Sequence, residues 1–208
     1  PQLGNLEVWN ETDDKYGPAC NYVPMLKAIA YSKQEAKVGT PLVGGIFSQL
    51  ASDGFREDHA KNRMLEVADA ISYHNYADPT VIEGTVKWYR DYLARYGRES
   101  LPIYITESGW PWTGESAKHI VMKSVEARAC GIQQIYPFFA QNYHEGALDF
   151  SLLRDNLTLT PALASYCRLA SLLSHHEYVG DLKRVDVLRA RVFSNGQDYV
   201  AVVFPSGT

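Results

Sequence analysis

Three short stretches of this sequence end in side chains able to move protons or attack carbon. Leu6-Glu7-Val8-Trp9 reads as a strand and runs into Asn10 and Glu11. Residues 70–76 read as a strand closing in His74-Asn75-Tyr76. Residues 101–106 read as an apolar, β-branched strand followed by Glu107-Ser108-Gly109-Trp110. If these strand ends share one rim, two carboxylates, an imidazole, a phenol and an amide converge there. A carboxylate pair can divide the work of glycoside hydrolysis: one protonates the leaving oxygen and later activates water, while the other attacks the anomeric carbon. That attack needs the two groups about 5–5.5 Å apart. It also needs them in different surroundings, because one must hold a proton while the other is ionised.

The elements that would position these groups alternate along the chain. Residues 22–36 read as a helix, with Val23, Leu26, Ile29 and Ala30 at three- and four-residue steps. Residues 41–47 read as a glycine-containing strand and 59–70 as a helix carrying Met64, Leu65 and Val67. Helices follow at 81–96, closed by Gly97, and at 115–129, closed by Gly131. Residues 132–140 read as a strand, and Thr160-Pro161 opens a helix to about residue 173 as N-cap and first helical residue. A strand-helix alternation of this kind implies right-handed crossovers and a parallel sheet. A doubly wound open sheet and a (β/α)8 barrel both fit. No GxGxxG follows a strand, which counts against dinucleotide binding. In a barrel the C-terminal strand ends hold the active site. Past Leu173 the pattern changes: 183–190 and 198–204 flank Asn195-Gly196, the signature of a hairpin. The expected organisation is barrel over 1–176 and the start of a small β domain over 177–208.

Composition excludes several partners. The chain has 208 residues, a net charge of −4 and no run of Lys or Arg, so the phosphate contacts that dominate nucleic-acid affinity have no source. No apolar run reaches membrane-spanning length, and no signal peptide is visible. Of the 208 residues 14 are Tyr, which suits sugar faces and large cores alike. The three cysteines, Cys20, Cys130 and Cys167, form no CxxC pair and lie away from His at ligand spacing, so neither a metal site nor a cofactor is expected. Cys130 and Cys167 lie in apolar helical patterns and read as buried thiols.

The stretch from Leu6 to Glu11 resembles the strand-4 motif of glycoside hydrolase clan A, in which an Asn-Glu pair supplies the acid/base and its neighbour. Ile103-Tyr104-Ile105-Thr106-Glu107-Ser108-Gly109-Trp110 resembles the strand-7 nucleophile motif of that clan, and His74-Asn75-Tyr76 its strand-6 His-x-Tyr. The helix opened by Thr160-Pro161 resembles the closing helix of family 39-like members. The resemblance covers about residues 3 to 175 and meets three motifs in order. It implies a retaining glycosidase on a (β/α)8 barrel, with Glu11 as acid/base, Glu107 as nucleophile and a β-linked carbohydrate as substrate. It further implies that Asn10 bonds the sugar 2-hydroxyl, that Tyr76 donates to Glu107, that His74 lines the pocket and that Trp110 offers a stacking face. Many clan members place a Trp at the end of strand 8; here that strand reads Tyr136-Pro137-Phe138-Phe139-Ala140-Gln141, so Phe139 or Gln141 takes its place.

Plainer readings stand beside these. Glu11 and Glu107 can serve as helix-terminal or loop-capping carboxylates. His74 and Tyr76 can be a satisfied core pair, and Trp110 and Trp112 can pack over the rim. Asp13-Asp14 reads as a solvated loop, Asp58-His59 as an exposed helix start and His175-His176 as a helix end. For the whole chain, the alternative is a non-catalytic carbohydrate-binding or interaction module; the presence of both glutamates argues against it. A full barrel has eight strands in about 250 residues. The sequence offers five, matched to strands 4 to 8, so the expectation is a truncated barrel whose missing N-terminal half is its natural complement. The function class favours a secreted or periplasmic setting.

Overall fold

Five strands form one sheet in the order in which they occur along the chain: β1 (Leu6–Glu7), β2 (Leu42–Phe47), β3 (Ala70–Asn75), β4 (Ile103–Ser108) and β5 (Gln134–Pro137). β1 pairs β2 in parallel, and β2 pairs β3 in parallel. Helices α1 (Ala19–Glu35), α2 (Asp53–Lys61), α3 (Ile82–Ala94) and α4 (Ser116–Ala129) fill the connections. A strand order that never reverses, joined by right-handed crossovers, keeps every helix on one face. That is the winding of a barrel; a doubly wound sheet reverses its order at a switch point. This computed structural model describes residues 4–12, 19–48, 52–111, 115–138, 140, 141, 143–182 and 188–205. The chain divides into two compact units, one of Pro1–Asn75 and Val86–Glu107, the other of Tyr76–Thr85 and Ser108–Thr208.

In the first unit β2 and β3 are buried at every residue, as strands covered on both faces must be. Val43, Ala70 and Tyr104 form a cluster on one face. Gly44 lies toward the helices: a β-carbon there would stand 3.1 Å from both Leu26 and Ala68. Three buried tyrosines line the layer that holds α2 and α3. Tyr73 stacks on Tyr89 at 4.9 Å, Trp88 stacks on Tyr92 at 5.6 Å, and the guanidinium of Arg56 lies 4.2 Å from the Trp88 ring centre. These tyrosines serve the core.

Three expectations in this unit are corrected. The helix read over 59–70 is α2, which starts at Asp53 because Ser52 caps it, accepting from the Phe55 amide. It ends at Lys61, and Arg63 takes a left-handed φ of 68° before a single 3-10 turn at Met64–Glu66. His59 is no exposed helix start: it is fully buried near the end of α2 and packs on Phe55, Phe47 and Tyr22. β1 covers only Leu6–Glu7.

The second unit adds a short hairpin of β6 (His144–Glu145) and β7 (Leu148–Asp149), then α5 (Pro161–Leu173), β8 (Glu177–Asp181), β9 (Leu188–Ser194) and β10 (Tyr199–Pro205). Thr160 caps α5, with Oγ1 accepting from the Leu163 amide at 3.3 Å. The last three strands form an antiparallel sheet ordered β10-β9-β8. In the turn between β9 and β10, Asn195 Oδ1 accepts from Gln197 and Asp198, and Gly196 has φ 87°. This sheet does not build a core of its own. Phe193 and Phe204 pack with Met122 and Val125 of α4 and Leu169 and Leu173 of α5. Beside that core Arg191 grips Glu126 bidentately, at 2.6 and 3.1 Å, and reaches Asp181 at 3.0 Å. Cys130 is half-buried and Cys167 exposed, so neither is the fully buried thiol that its apolar surroundings in sequence suggested. Asp13, Asp14, Trp112, Phe139 and Lys183–Val187 lie outside the described residues.

Candidate active site

The segment after β1 is held in an unusual form. Trp9 has φ 81° and Glu11 φ 40°, both positive, which costs bulky side chains free energy. Two bonds to β2 secure it: the Thr12 amide donates to the Ile46 carbonyl at 3.3 Å, and Thr12 Oγ1 donates to the Gly45 carbonyl at 2.7 Å. Those carbonyls are presented by a bulge in β2, where the pairing with β3 shifts register between Gly45 and Phe47. Bulges of this kind re-aim groups at strand ends.

On β3, Ala70, Ser72 and His74 share one face by the two-residue strand period. Ser72 Oγ donates to Glu7 Oε1 at 2.5 Å. Two residues further along the strand, His74 Nδ1 lies 2.9 Å from Glu11 Oε1 and 3.4 Å from Glu107 Oε2. One ligand atom from each of Glu11, His74 and Glu107 lies within 4.8 Å of the other two. The imidazole is 1 % exposed, and each carboxylate side chain 27 %. A carboxyl oxygen beside Nδ1 suits the tautomer that carries its proton there, so that the imidazole donates to Glu11. That N–H lies between the two carboxyl groups and orients them. The same three donors could take a divalent cation of the kind that accepts imidazole and carboxylate together.

The first unit thus brings together Glu11, His74 and Glu107. Asn10, on the same strained segment, is exposed. Tyr76, Trp110 and Gln141 belong to the second unit. Tyr76 meets Phe138 and Phe150 edge-on, at 5.8 and 5.9 Å. Trp110 stacks on His119, ring centres 3.6 Å apart and nearly parallel, so one of its faces is already covered. Gln141 forms an isolated bridge with Leu153. Two polar residues near these groups escaped the sequence reading. Glu7 is an acidic side chain inside an apolar strand. Lys123 is a lysine only 2 % exposed, placed one turn beyond His119 on α4. Neither breaks a pattern: Glu7 alternates with Leu6 and Val8, and Lys123 has His119 and Glu126 one turn to either side.

No protein-family model matches the sequence, and no curated protein matches it. Solved structures do. The fold and strand order are those of a (β/α)8 barrel, of which the described residues present five strands. Among the similar structures is a family 39 glycoside hydrolase from the gut symbiont Bacteroides cellulosilyticus WH2, with a TM-score of 0.77 at 19 % identity over 99 % of this chain and 48 % of that one. A family 39 β-xylosidase from Caulobacter crescentus matches with a TM-score of 0.65 at 19 % identity, over 89 % of this chain and 45 % of its own. A family 51 α-L-arabinofuranosidase from Bifidobacterium longum matches with a TM-score of 0.67 at 12 % identity, over 95 % of this chain and 51 % of its own. The chain spans about half the length of these structures.

Proposed function

We propose that this chain carries the catalytic pair of a retaining glycosidase acting on a β-linked carbohydrate. The observation that carries the reading is the closeness of Glu11 and Glu107, whose ligand atoms, with that of His74, all fall within 4.8 Å of one another. Carboxylates that attack directly stand about 5–5.5 Å apart, whereas an inverting pair needs about 6.5–9.5 Å to admit a water. The similar folds of the family 39 and family 51 enzymes support a carbohydrate substrate.

In this mechanism Glu107 attacks the anomeric carbon and forms a glycosyl-enzyme ester while the glycosidic bond breaks. Glu11 gives its proton to the departing oxygen. Glu11 then takes a proton from water, which cleaves the ester and returns Glu107 as carboxylate. The His74 N–H keeps the two carboxylates oriented and steadies the charge on whichever is ionised. The motif resemblance assigns Asn10 to the sugar 2-hydroxyl and His74, Tyr76, Trp110 and Gln141 to the groups that bind the substrate. No helix among the described residues is long and apolar enough to cross a membrane.

The test is Glu107→Gln, expected to abolish turnover of an aryl β-glycoside, together with Glu107→Gly, expected to regain it with azide and to yield a glycosyl azide. Full activity in Glu107→Gln would overturn the assignment.

A further inference from the structure

The segment that follows Glu107 is gripped from behind by a buried cation. Lys123 on α4 is 2 % exposed, a state that lysine rarely adopts without a dedicated partner. Its Nζ donates to the Gly109 carbonyl at 2.7 Å and lies 5.6 Å from the Trp110 ring centre. His119, one turn earlier on the same helix, stacks on that Trp110 ring. α4 therefore holds the backbone of Gly109 and the side chain of Trp110 with two residues spaced i, i+4, which a helix places on one face.

We propose that Lys123 is a positioning residue for the segment carrying Glu107: its ammonium fixes the Gly109 carbonyl, and with it the turn that presents the nucleophile and the Trp110 ring. The inference rests on the nucleophilic role of Glu107. A charge-assisted bond to a carbonyl is roughly twice as strong as a neutral one, so loss of the Lys123 proton loosens the grip. The ionisable groups acting on it and on its neighbour His119 are Asp78, just ahead of α3, Lys118 on α4 and Glu115 at the N-cap of α4. Burial pushes the Lys123 ammonium down to about 7, with Asp78 opposing. Burial likewise lowers His119, against the pull of Asp78 and Glu115. The grip is consequently complete below neutrality and fades above it. Stability moves the other way: the unfolded lysine keeps its proton up to its ordinary 10.5, so between that pH and about 7 the unfolded chain binds more protons. The fold gains stability from Lys123 as pH rises through this window and loses it again as pH falls.

The experiment uses 2,4-dinitrophenyl β-xyloside and the matching glucoside, whose leaving group needs no proton and so removes the alkaline limb that Glu11 would impose as an acid. The wild-type kcat is expected to fall on the alkaline side with a midpoint near 7. Lys123→Met is expected to lower kcat by about ten- to a hundredfold, the scale of a small misplacement of a reacting group, with KM changing far less and the alkaline fall abolished. In parallel, lysine labelled with 13C at Cε is expected to show one residue titrating near neutrality in the wild type and none in the variant. Two results overturn the proposal: a wild-type profile in Lys123→Met, or every lysine of the wild type titrating near its ordinary value. The second holds even if the variant fails to fold. Glu107→Gln is measured alongside. If it is active, the nucleophile reading falls; if it is inactive while Lys123→Met behaves as wild type, only this inference falls.

Discussion

Gly109 abuts the Tyr76 ring so closely that a β-carbon added to it would stand 2.7 Å from Tyr76 Cε1. The same atom would lie 3.0 Å from Phe150, so neither neighbour leaves it room. The glycine two residues after Glu107 thus has a steric reason to be glycine, apart from any backbone freedom. Gly109→Ala should destabilise the protein by about 1–3 kcal/mol, the range for overpacking a filled site. It should also shift Tyr76, and kcat should fall by more than the loss of stability explains. Thermal unfolding and steady-state kinetics on one preparation check this; an unchanged melting temperature would show that the ring yields freely.

His74 links the two carboxylates through one proton, donating at 2.9 Å to Glu11 with Glu107 3.4 Å away. His74→Ala should cost about a hundredfold in kcat/KM on an aryl β-glycoside, the low end of what a positioned proton-bearing group supplies. An unchanged kcat/KM would reduce His74 to a packing residue.

Arg191 and Glu126 are 4 % and 1 % exposed at the side chain and bond at 2.6 Å. Breaking such a pair from one side strands a buried charge, at a cost of about 3–5 kcal/mol. Glu126→Gln and Arg191→Met should each lower stability on that scale. The double variant Glu126→Gln, Arg191→Met should lose less than the two singles together, because no charge is left unmatched in the pair. Denaturant unfolding of the three proteins decides it, and strict additivity would mean that the pair is not coupled.

The sequence revealed most where local chemistry decides local shape. Thr160-Pro161 set the start of α5, Gly97 and Gly131 closed α3 and α4 with φ of 66° and 75°, and Asn195-Gly196 made the hairpin turn. α2 was displaced in the reading because its buried face is Arg56, His59 and Ala60, two of them polar. An apolar period cannot announce a face of that kind, and the left-handed Arg63 that ends it carries no compositional mark. The site followed the same division. Glu11, His74 and Glu107 were legible as residues at strand ends. That His74 stands between the carboxylates was not, because the bulge at Gly45 and Ile46 that holds the Glu11 segment comes from an adjacent strand. Glu7 and Lys123 stayed invisible because pattern reading assigns charges to solvent.

The stacked rings behind β2 and β3 have an optical consequence. Tyr92 lies against Trp88 at 5.6 Å, and Tyr73 against Tyr89, which in turn meets Trp88 at 5.1 Å. Excitation absorbed by these phenols passes to the indole and leaves as tryptophan light. The first unit therefore carries its own built-in fluorophore pair, and the return of tyrosine emission on heating or in denaturant signals the opening of that layer without any label.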